Sequence, residues 1–225
     1  MFLSFEGIDG CGKSTQARLL AEALRAEGRE VVLTREPGGS PGAEEIRRLL
    51  VEGHGERWSA ETECLLFTAA RRDHLERTIR PALAAGRTVI TDRFADSTRV
   101  YQGAARGELR GIVDRLHALM IGVEPDRSFV IDIAPEDALR RAAKRQAAVL
   151  AAKAATATTP LEAARTAATA QALMAEDRFE SLGLDFQQKL AAGFRALARE
   201  YPDRVRLIDG SGTPEDVAAR VRAAL

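Results

Sequence analysis

Two periodicities alternate along this chain. Met1-Phe2-Leu3-Ser4-Phe5-Glu6 is a short apolar run ending in a glycine-rich turn, which suits a buried strand. From Ser14 the spacing changes to 3.6, with Ala17, Leu20, Ala21 and Leu24 on one face and Gly28 placed as a C-terminal stop. Val31-Val32-Leu33-Thr34, Thr88-Val89-Ile90-Thr91, Phe129-Val130-Ile131 and Val205-Arg206-Leu207-Ile208 read as four further strands between breakers. Helical spacing fills the intervals: Ile46, Leu49 and Leu50; a long stretch from about Ala60 to Leu83; Leu109 to Leu119; Phe186 to Leu197; and Val217 to Leu225. Short apolar strands alternating with helices predict an α/β fold, a five-stranded parallel sheet with helices on both faces.

One stretch breaks the rhythm. Ala142 to Met174 is dominated by Ala and Thr and offers few large apolar residues, so it predicts two exposed helical pieces meeting at Pro160 rather than core. With 225 residues, the chain is expected to form a single domain, 1–225, with a lid and Ala-rich insertion over about 136–180. Hydrophobic residues at 45% and charged residues at 29% exclude global disorder. Thirty-three basic residues balance 33 acidic ones, so no bulk field draws nucleic acid or an anionic membrane, and any phosphate site must be local. Two cysteines, no secretory pattern and no run long enough to span a bilayer point to a soluble, cytoplasmic protein with no membrane or nucleic-acid partner.

The local site is visible between the first strand and helix. Gly7-Ile8-Asp9-Gly10-Cys11-Gly12-Lys13-Ser14, followed by Thr15, fits Gly, four residues, Gly-Lys-Ser. In such a turn backbone N–H groups converge on phosphate oxygens, the helix dipole adds positive charge, Lys13 reaches the outer phosphates and Ser14 can ligate Mg²⁺. A nucleoside triphosphate with Mg²⁺ is therefore the expected ligand. The loop does not separate a kinase from a GTPase or a motor, but no guanine-reading Asn-Lys-x-Asp is present. Asp92-Arg93 follows the third strand, at the sheet edge beside the phosphates, where Asp92 can hold the magnesium shell and Arg93 can clamp a second phosphate. Cys11 reads as filler within the loop.

Four ordered runs, Phe5-Glu6-Gly7-Ile8-Asp9, Arg35-Glu36-Pro37-Gly38-Gly39, Leu66-Phe67-Thr68-Ala69-Ala70-Arg71 and Asp92-Arg93-Phe94 through Gly103, closely resemble the thymidylate kinase family. The resemblance extends to about Arg145 and resumes at Asp177-Arg178-Phe179-Glu180. It implies a P-loop nucleoside-monophosphate kinase fold with a helical lid, transfer of the γ-phosphoryl of ATP to dTMP to give dTDP and ADP for dTTP biosynthesis, Mg²⁺, and a homodimer. It also implies that Phe67 stacks on thymine and Arg71 contacts the base edge, although alone these residues read equally as helix packing and a solvated charge. Asp9 matches a carboxylate that contacts the sugar 3′-hydroxyl and orients Arg93; Arg35 matches an acceptor-phosphate contact beside the Glu36-Pro37 turn; Tyr101 matches the position that blocks a ribose 2′-hydroxyl. Ser97, Thr98 and Gln102 match polar contacts, and no role carries over to Asp96 or Arg99.

Some members of that family carry an arginine in the middle of the phosphate loop, whereas others deliver it from a lid. Gly10 stands at that position here, so Arg141 and Arg145, one helical turn apart, are the expected lid donors. The lid departs from the pattern in length, with 31 residues between Arg145 and Asp177. Asp209-Gly210-Ser211-Gly212 resembles the segment that borders adenine. A related kinase with another acceptor, and an ATP-hydrolysing switch, are the rival functions on sequence alone.

Overall fold

The computed structural model describes residues 1–51, 57–105, 108–156 and 183–225. The Asp177–Glu180 motif and the Pro160 junction therefore lie outside the described residues. Five strands, β1 (Phe2–Glu6), β2 (Val31–Arg35), β3 (Thr88–Asp92), β4 (Arg127–Asp132) and β5 (Val205–Asp209), pair in parallel in the order β2-β3-β1-β4-β5. Each contains its sequence-predicted core and differs at the ends by a residue or two. Because β1 is central, its carboxyl end opens between the ends of β3 and β4, where a parallel sheet leaves a crevice for ligands.

Alternation along β1 assigns its two faces. Leu3 and Phe5 point into the larger core with Phe129, Ile131, Leu20, Leu24 and Phe194. Helix α1 (Lys13–Ala26) supplies Leu20 and Leu24 to it through the 3.6 spacing, and full burial of each such side chain stabilises the fold by about 1.5–3 kcal/mol. On the other face Phe2 meets Phe94 edge-on, with ring centroids 5.0 Å apart, within a smaller cluster containing Leu75, Ile79, Val89 and Ile121. Ser4 and Glu6 share that second face, so polar groups lie buried between the sheet and the segment after Phe94.

Helix α2 (Pro41–Val51) pairs with α3 (Ala60–His74), whose N-terminus is capped by Ser59 Oγ accepting the Thr62 amide at 3.2 Å. The long helix expected over about 60–83 exists but contains one π turn, Leu75–Ile79, before α4 (Arg80–Ala84). That turn buries both Leu75 and Ile79 just ahead of Pro81, which has no amide to donate. The sequence reading missed α5 (Ala95–Val100) and the π turn that follows it, Tyr101–Ala105. Helices α6 (Arg110–Met120), α7 (Pro135–Thr156), α8 (Gly183–Glu200) and α9 (Pro214–Ala223) complete the described chain. Thr213 and Asp216 form a reciprocal cap at the start of α9.

The Ala-rich expectation needs one correction. Ala142, assigned to the exposed stretch, is buried, as is Ala138, while Ala147, Ala148 and Val149 are exposed. Both buried alanines lie against Gly10. A Cβ built there would fall 2.1 Å from the Ala138 carbonyl oxygen and 3.2 Å from Ala142 Cβ. Small side chains are buried here because the loop beneath has none.

Candidate active site

The loop from Gly7 to Gly12 depends on backbone conformations that side chains disfavour: Gly7, Gly10 and Gly12 have φ of 131°, 80° and 104°. They bring the chain to the start of α1, where the first-turn amides have no partner within the helix and point at the cleft. Lys13 is buried, and its Nζ donates to the Ile8 carbonyl at 2.7 Å and lies 3.7 Å from Asp9 Oδ1. Ile8 itself belongs to the core, and the Gly7 carbonyl accepts Arg93 Nη1 at 3.1 Å, so the backbones of these two residues hold Lys13 and Arg93. Cys11 is buried, and burial pushes its thiol up against the opposing pull of Lys13, as filler rather than a nucleophile.

A cleft of about 1270 Å³ joins this loop to the other expected groups. Asp9, Gly10, Cys11, Gly12, Lys13, Ser14 and Thr15 line it from the phosphate loop and the start of α1; Arg35, Glu36 and Pro37 from the end of β2; Phe67 and Arg71 from α3; and Asp92, Arg93, Ser97, Thr98, Tyr101 and Gln102 from β3, α5 and the π turn after it. Arg141, Arg145, Gln146 and Val149 line it from α7, and Gly210 and Gly212 close the far end after β5. Of the expected residues Gly7 and Ile8 do not line it, nor do Asp209 and Ser211 of the segment expected to border adenine.

Arg93 is held on every side. Nη1 donates to the Gly7 carbonyl and to Ser97 Oγ (2.9 Å), and Nη2 donates to Tyr101 Oη (3.0 Å) and to Asp9 Oδ1. The Tyr101 hydroxyl donates in turn to Asp9 Oδ2 at 2.9 Å. Burial alone would raise the Asp9 carboxyl, but the Arg93 and Lys13 charges outweigh it and hold Asp9 well below the usual carboxylate range. Glu6 behaves oppositely. Burial first, then the neighbouring Asp96 charge, pushes its carboxyl up to about 7 despite its bonds to Ser97 and Phe94.

At the other end of the cleft Arg71 is buried and already engaged. Its Nε donates to Glu36 Oε2 (2.7 Å) and its Nη2 to the Phe94 carbonyl (3.1 Å) and Thr98 Oγ1 (3.0 Å). Glu36 Oε1 meets His74 Nδ1 at 2.9 Å, and His74 Nε2 meets Thr34 Oγ1 at 2.8 Å, so one chain of contacts ties β2, α3 and α5 together. The Glu36–Pro37 peptide is cis. Phe67 is half-buried, with part of its ring open to the cleft, whereas Arg35 is exposed and reaches Glu44 at 3.4 Å. Gln102 is buried and donates to Glu63 Oε2 at 3.1 Å.

Asp92 and Ser14 meet where α1 begins, the hydroxyl donating to Asp92 Oδ2. Among the described residues, Asp92 Oδ1 is buried and accepts no hydrogen bond. A hydroxyl and a carboxylate with one unfilled oxygen beside the phosphate loop are the hard oxygen donors that Mg²⁺ takes, with phosphate and water oxygens filling its other positions.

A family model described as thymidylate kinase matches residues 5–170. The chain belongs to the thymidylate kinase family. The thymidylate kinase of Ruegeria pomeroyi is 61% identical over 221 residues, covering 98% of this chain and 92% of that one, and that of Jannaschia sp. is 58% identical over 222 residues, covering 99% and 94%. Among solved structures, the crystal structure of thymidylate kinase from Ehrlichia chaffeensis is 32% identical, covers 100% of this chain and 97% of its own, and superposes with a TM-score of 0.70. The thymidylate kinase family resemblance and the P-loop α/β fold expected from sequence are thus borne out, and the chain is a phosphotransferase of that family.

Several groups around the thymidylate kinase cleft were not singled out by the sequence reading: Glu63, His74, Asp96 and Arg99. Asp96 and Arg99 had no role carried over, and the fold gives them one. Arg99 donates to Asp96 (2.8 Å) and Asp114 (2.9 Å), and Arg204 donates to Asp96 (2.6 Å), a buried ion network that fastens α5 to α6 and the start of β5. A polar residue inside a short helix with no apolar period was the only signal available. Glu6 stood in a quoted motif without a role.

Proposed function

We propose that this chain catalyses transfer of the γ-phosphoryl group of ATP, the family's phosphate donor, to dTMP, giving dTDP and ADP. One observation carries the reading: the phosphate loop and a guanidinium fixed between that loop and Ser97, Arg93, face the same cleft, whose remaining wall offers an open aromatic, Phe67, beside polar groups. A hydrolytic switch needs one phosphate cradle; a kinase needs two. ATP takes the Gly10–Thr15 side, with adenine toward Gly210 and Gly212. The dTMP phosphate lies by Arg93 and Arg35, its base against Phe67, Arg71, Thr98 and Gln102 and its sugar beside Asp9 and Tyr101.

The acceptor phosphate has a second pKa of about 6, so it is largely dianionic at neutral pH and needs no protein base. The task is to bring two anions together in line, which calls for cations fixed before the reaction and others that arrive with closure. Lys13 and Arg93 are of the first kind, and Arg141 and Arg145 on α7 of the second. Ser14 and Asp92 would hold Mg²⁺, which when bound neutralises charge on the phosphates of ATP. Tyr101, braced by Asp9, occupies the space that a 2′-hydroxyl would need, and this supports selection of deoxyribose. The whole chain, 1–225, then works as one kinase domain, with about 136–180 serving as lid and insertion.

A homodimer in the cytoplasm completes the reading. Leu65 on α3 and Leu119 and Met120 on α6 are 58%, 79% and 49% exposed, and Arg72 of α3 donates to the Met120 carbonyl, so two neighbouring helices offer large apolar side chains to a second copy. Both cysteines are unpaired, and among the described residues no helix is long and apolar enough to cross a membrane. The deciding experiment is a coupled assay with ATP across dTMP, dUMP, dCMP and thymidine. dTMP should give the highest kcat/KM; ADP formation without a phosphorylated nucleotide would instead favour the switch.

A further inference from the structure

Glu6 ends the face of β1 that meets α5, and the chemistry above leaves it unused. It is fully buried, and both carboxylate oxygens are taken: Oε1 accepts the Phe94 amide at 2.8 Å and Oε2 accepts the Ser97 hydroxyl at 2.6 Å. Immediately before those donors stands Arg93. Among the described residues it is the one non-glycine at positive φ, 72°. A side chain in that region costs free energy, and the conformation persists only where neighbours fix it.

The neighbours are few and specific. The Arg93 amide donates to the Phe5 carbonyl at 2.9 Å and its carbonyl accepts Thr91 Oγ1 at 2.8 Å, while Glu6 holds the next amide along. Glu6 also reaches the guanidinium through one intermediary, since Ser97 Oγ donates to Glu6 and accepts from Arg93 Nη1. A buried carboxylate on the face of β1 that carries Phe2 against Phe94 is an unfavourable way to fill a strand, so packing alone does not account for it. We propose that Glu6 is a positioning residue: its carboxylate pins the Phe94 amide and the Ser97 hydroxyl, keeps Arg93 in its left-handed turn, and so aims the guanidinium at the acceptor phosphate. The inference rests on the reading of Arg93 as the acceptor-phosphate clamp.

Glu6→Gln keeps the shape and breaks the polarity. An amide can accept from one of the two donors, but its NH₂ must then face the other, either opposing the Phe94 amide or competing with Arg93 for the Ser97 oxygen. The measurement is calorimetric titration of the purified full chain with dTMP and with thymidine, ATP absent, because only dTMP carries the phosphate. Glu6→Gln should weaken dTMP by about tenfold or more and leave thymidine within about twofold, in the direction of Arg93→Ala; Thr91→Val, which removes one hold on the same turn, should do the same by about threefold. Equal losses for both ligands would make Glu6 a fold residue only, and no loss for either would remove the role; each result overturns the proposal. Should Glu6→Gln fail to fold, the Thr91→Val ratio decides, and an unchanged ratio overturns it. An unchanged ratio in Arg93→Ala defeats the reading of Arg93 as a phosphate clamp, whereas a lowered ratio there with an unchanged one in Glu6→Gln defeats the Glu6 proposal alone.

Discussion

Arg93 and Arg141 put the same functional group against the same cleft and hold it in opposite ways. The Arg93 side chain is 17% exposed and donates to four acceptors, Gly7 and Asp9 in the phosphate loop and Ser97 and Tyr101 after Phe94, so its position is set before any ligand arrives. Arg141 is exposed and reaches one carbonyl, that of Gly210, at 3.3 Å. A preorganised cation saves reorganisation at the moment of reaction, while one carried on a covering helix can let nucleotide enter and then complete the charge balance. The difference teaches which arginine should govern binding and which should govern the chemical step.

The largest expected effect lies on α7. Replacing Arg141 and Arg145 together by Ala should lower kcat by about 10³ or more, the scale of an arginine supplied to a transferring phosphoryl group, while dTMP affinity measured without ATP stays the same. Retention of kcat within a few-fold would remove the lid from the chemistry and erase the contrast. Arg93→Ala should act on the other quantity, lowering kcat/KM for dTMP by about 10²–10³ through loss of a fixed charge. Arg93→Lys should recover little, because an ammonium cannot span Gly7, Ser97, Tyr101 and Asp9 as a planar fork does. Steady-state kinetics with dTMP varied at saturating ATP checks both.

Next comes the surface between the two regions. Gly10→Ala would place a Cβ against the Ala138 carbonyl, so α7 must lift from the loop. We expect kcat to fall by about tenfold and stability by roughly 1–2 kcal/mol from the left-handed backbone. Gly28→Ala is the control, since Gly28 has the same φ of 80° and open space around it. It should lose the same stability and no activity; equal kcat in the two variants would mean that α7 does not close on Gly10.

How much of this was legible in the sequence depends on what kind of order each region uses. The strands and α1 follow from one-sided or two-sided apolar burial, which period alone reveals. Helix α5 does not, because Asp96, Ser97, Thr98 and Arg99 are all buried, so polar residues fill positions that an amphipathic pattern would leave outside, and only their partners explain them. The phosphate loop was readable because glycine spacing is itself the mechanism. Arg71 was readable as part of the site, but not its tie to Glu36 and through Glu36 to His74, since nothing in a sequence joins positions 35 residues apart on different elements. Composition misled at Ala142: an alanine has too little surface to drive burial, yet it packs tightly where the opposing residue is Gly10.

The smallest expected effect tests how Arg93 is held rather than what it does. Burial and Asp96 raise the Glu6 carboxyl from 4.5 to about 7 in the folded chain, so between those values the folded state binds more protons than the unfolded one. Stability conferred by this group therefore declines as pH rises from about 4.5 to about 7 and is recovered on acidification, opposite in sign to Asp9, whose lowered pKa gives stability that is lost as pH falls below the usual carboxylate range. The groups facing Glu6 are Asp96, Ser97 and Arg93; Arg93 stays charged, and Asp96, whose burial is outweighed by Arg204 and Arg99, stays ionised, so a difference between native chain and Glu6→Gln follows the Glu6 titration. Urea unfolding of both at several pH values should show that difference changing by at most about 1.4 kcal/mol per pH unit, the slope for one proton. A difference that stays flat would mean that Glu6 remains ionised across this range, with Arg93 and its hydrogen bonds balancing the cost of burial.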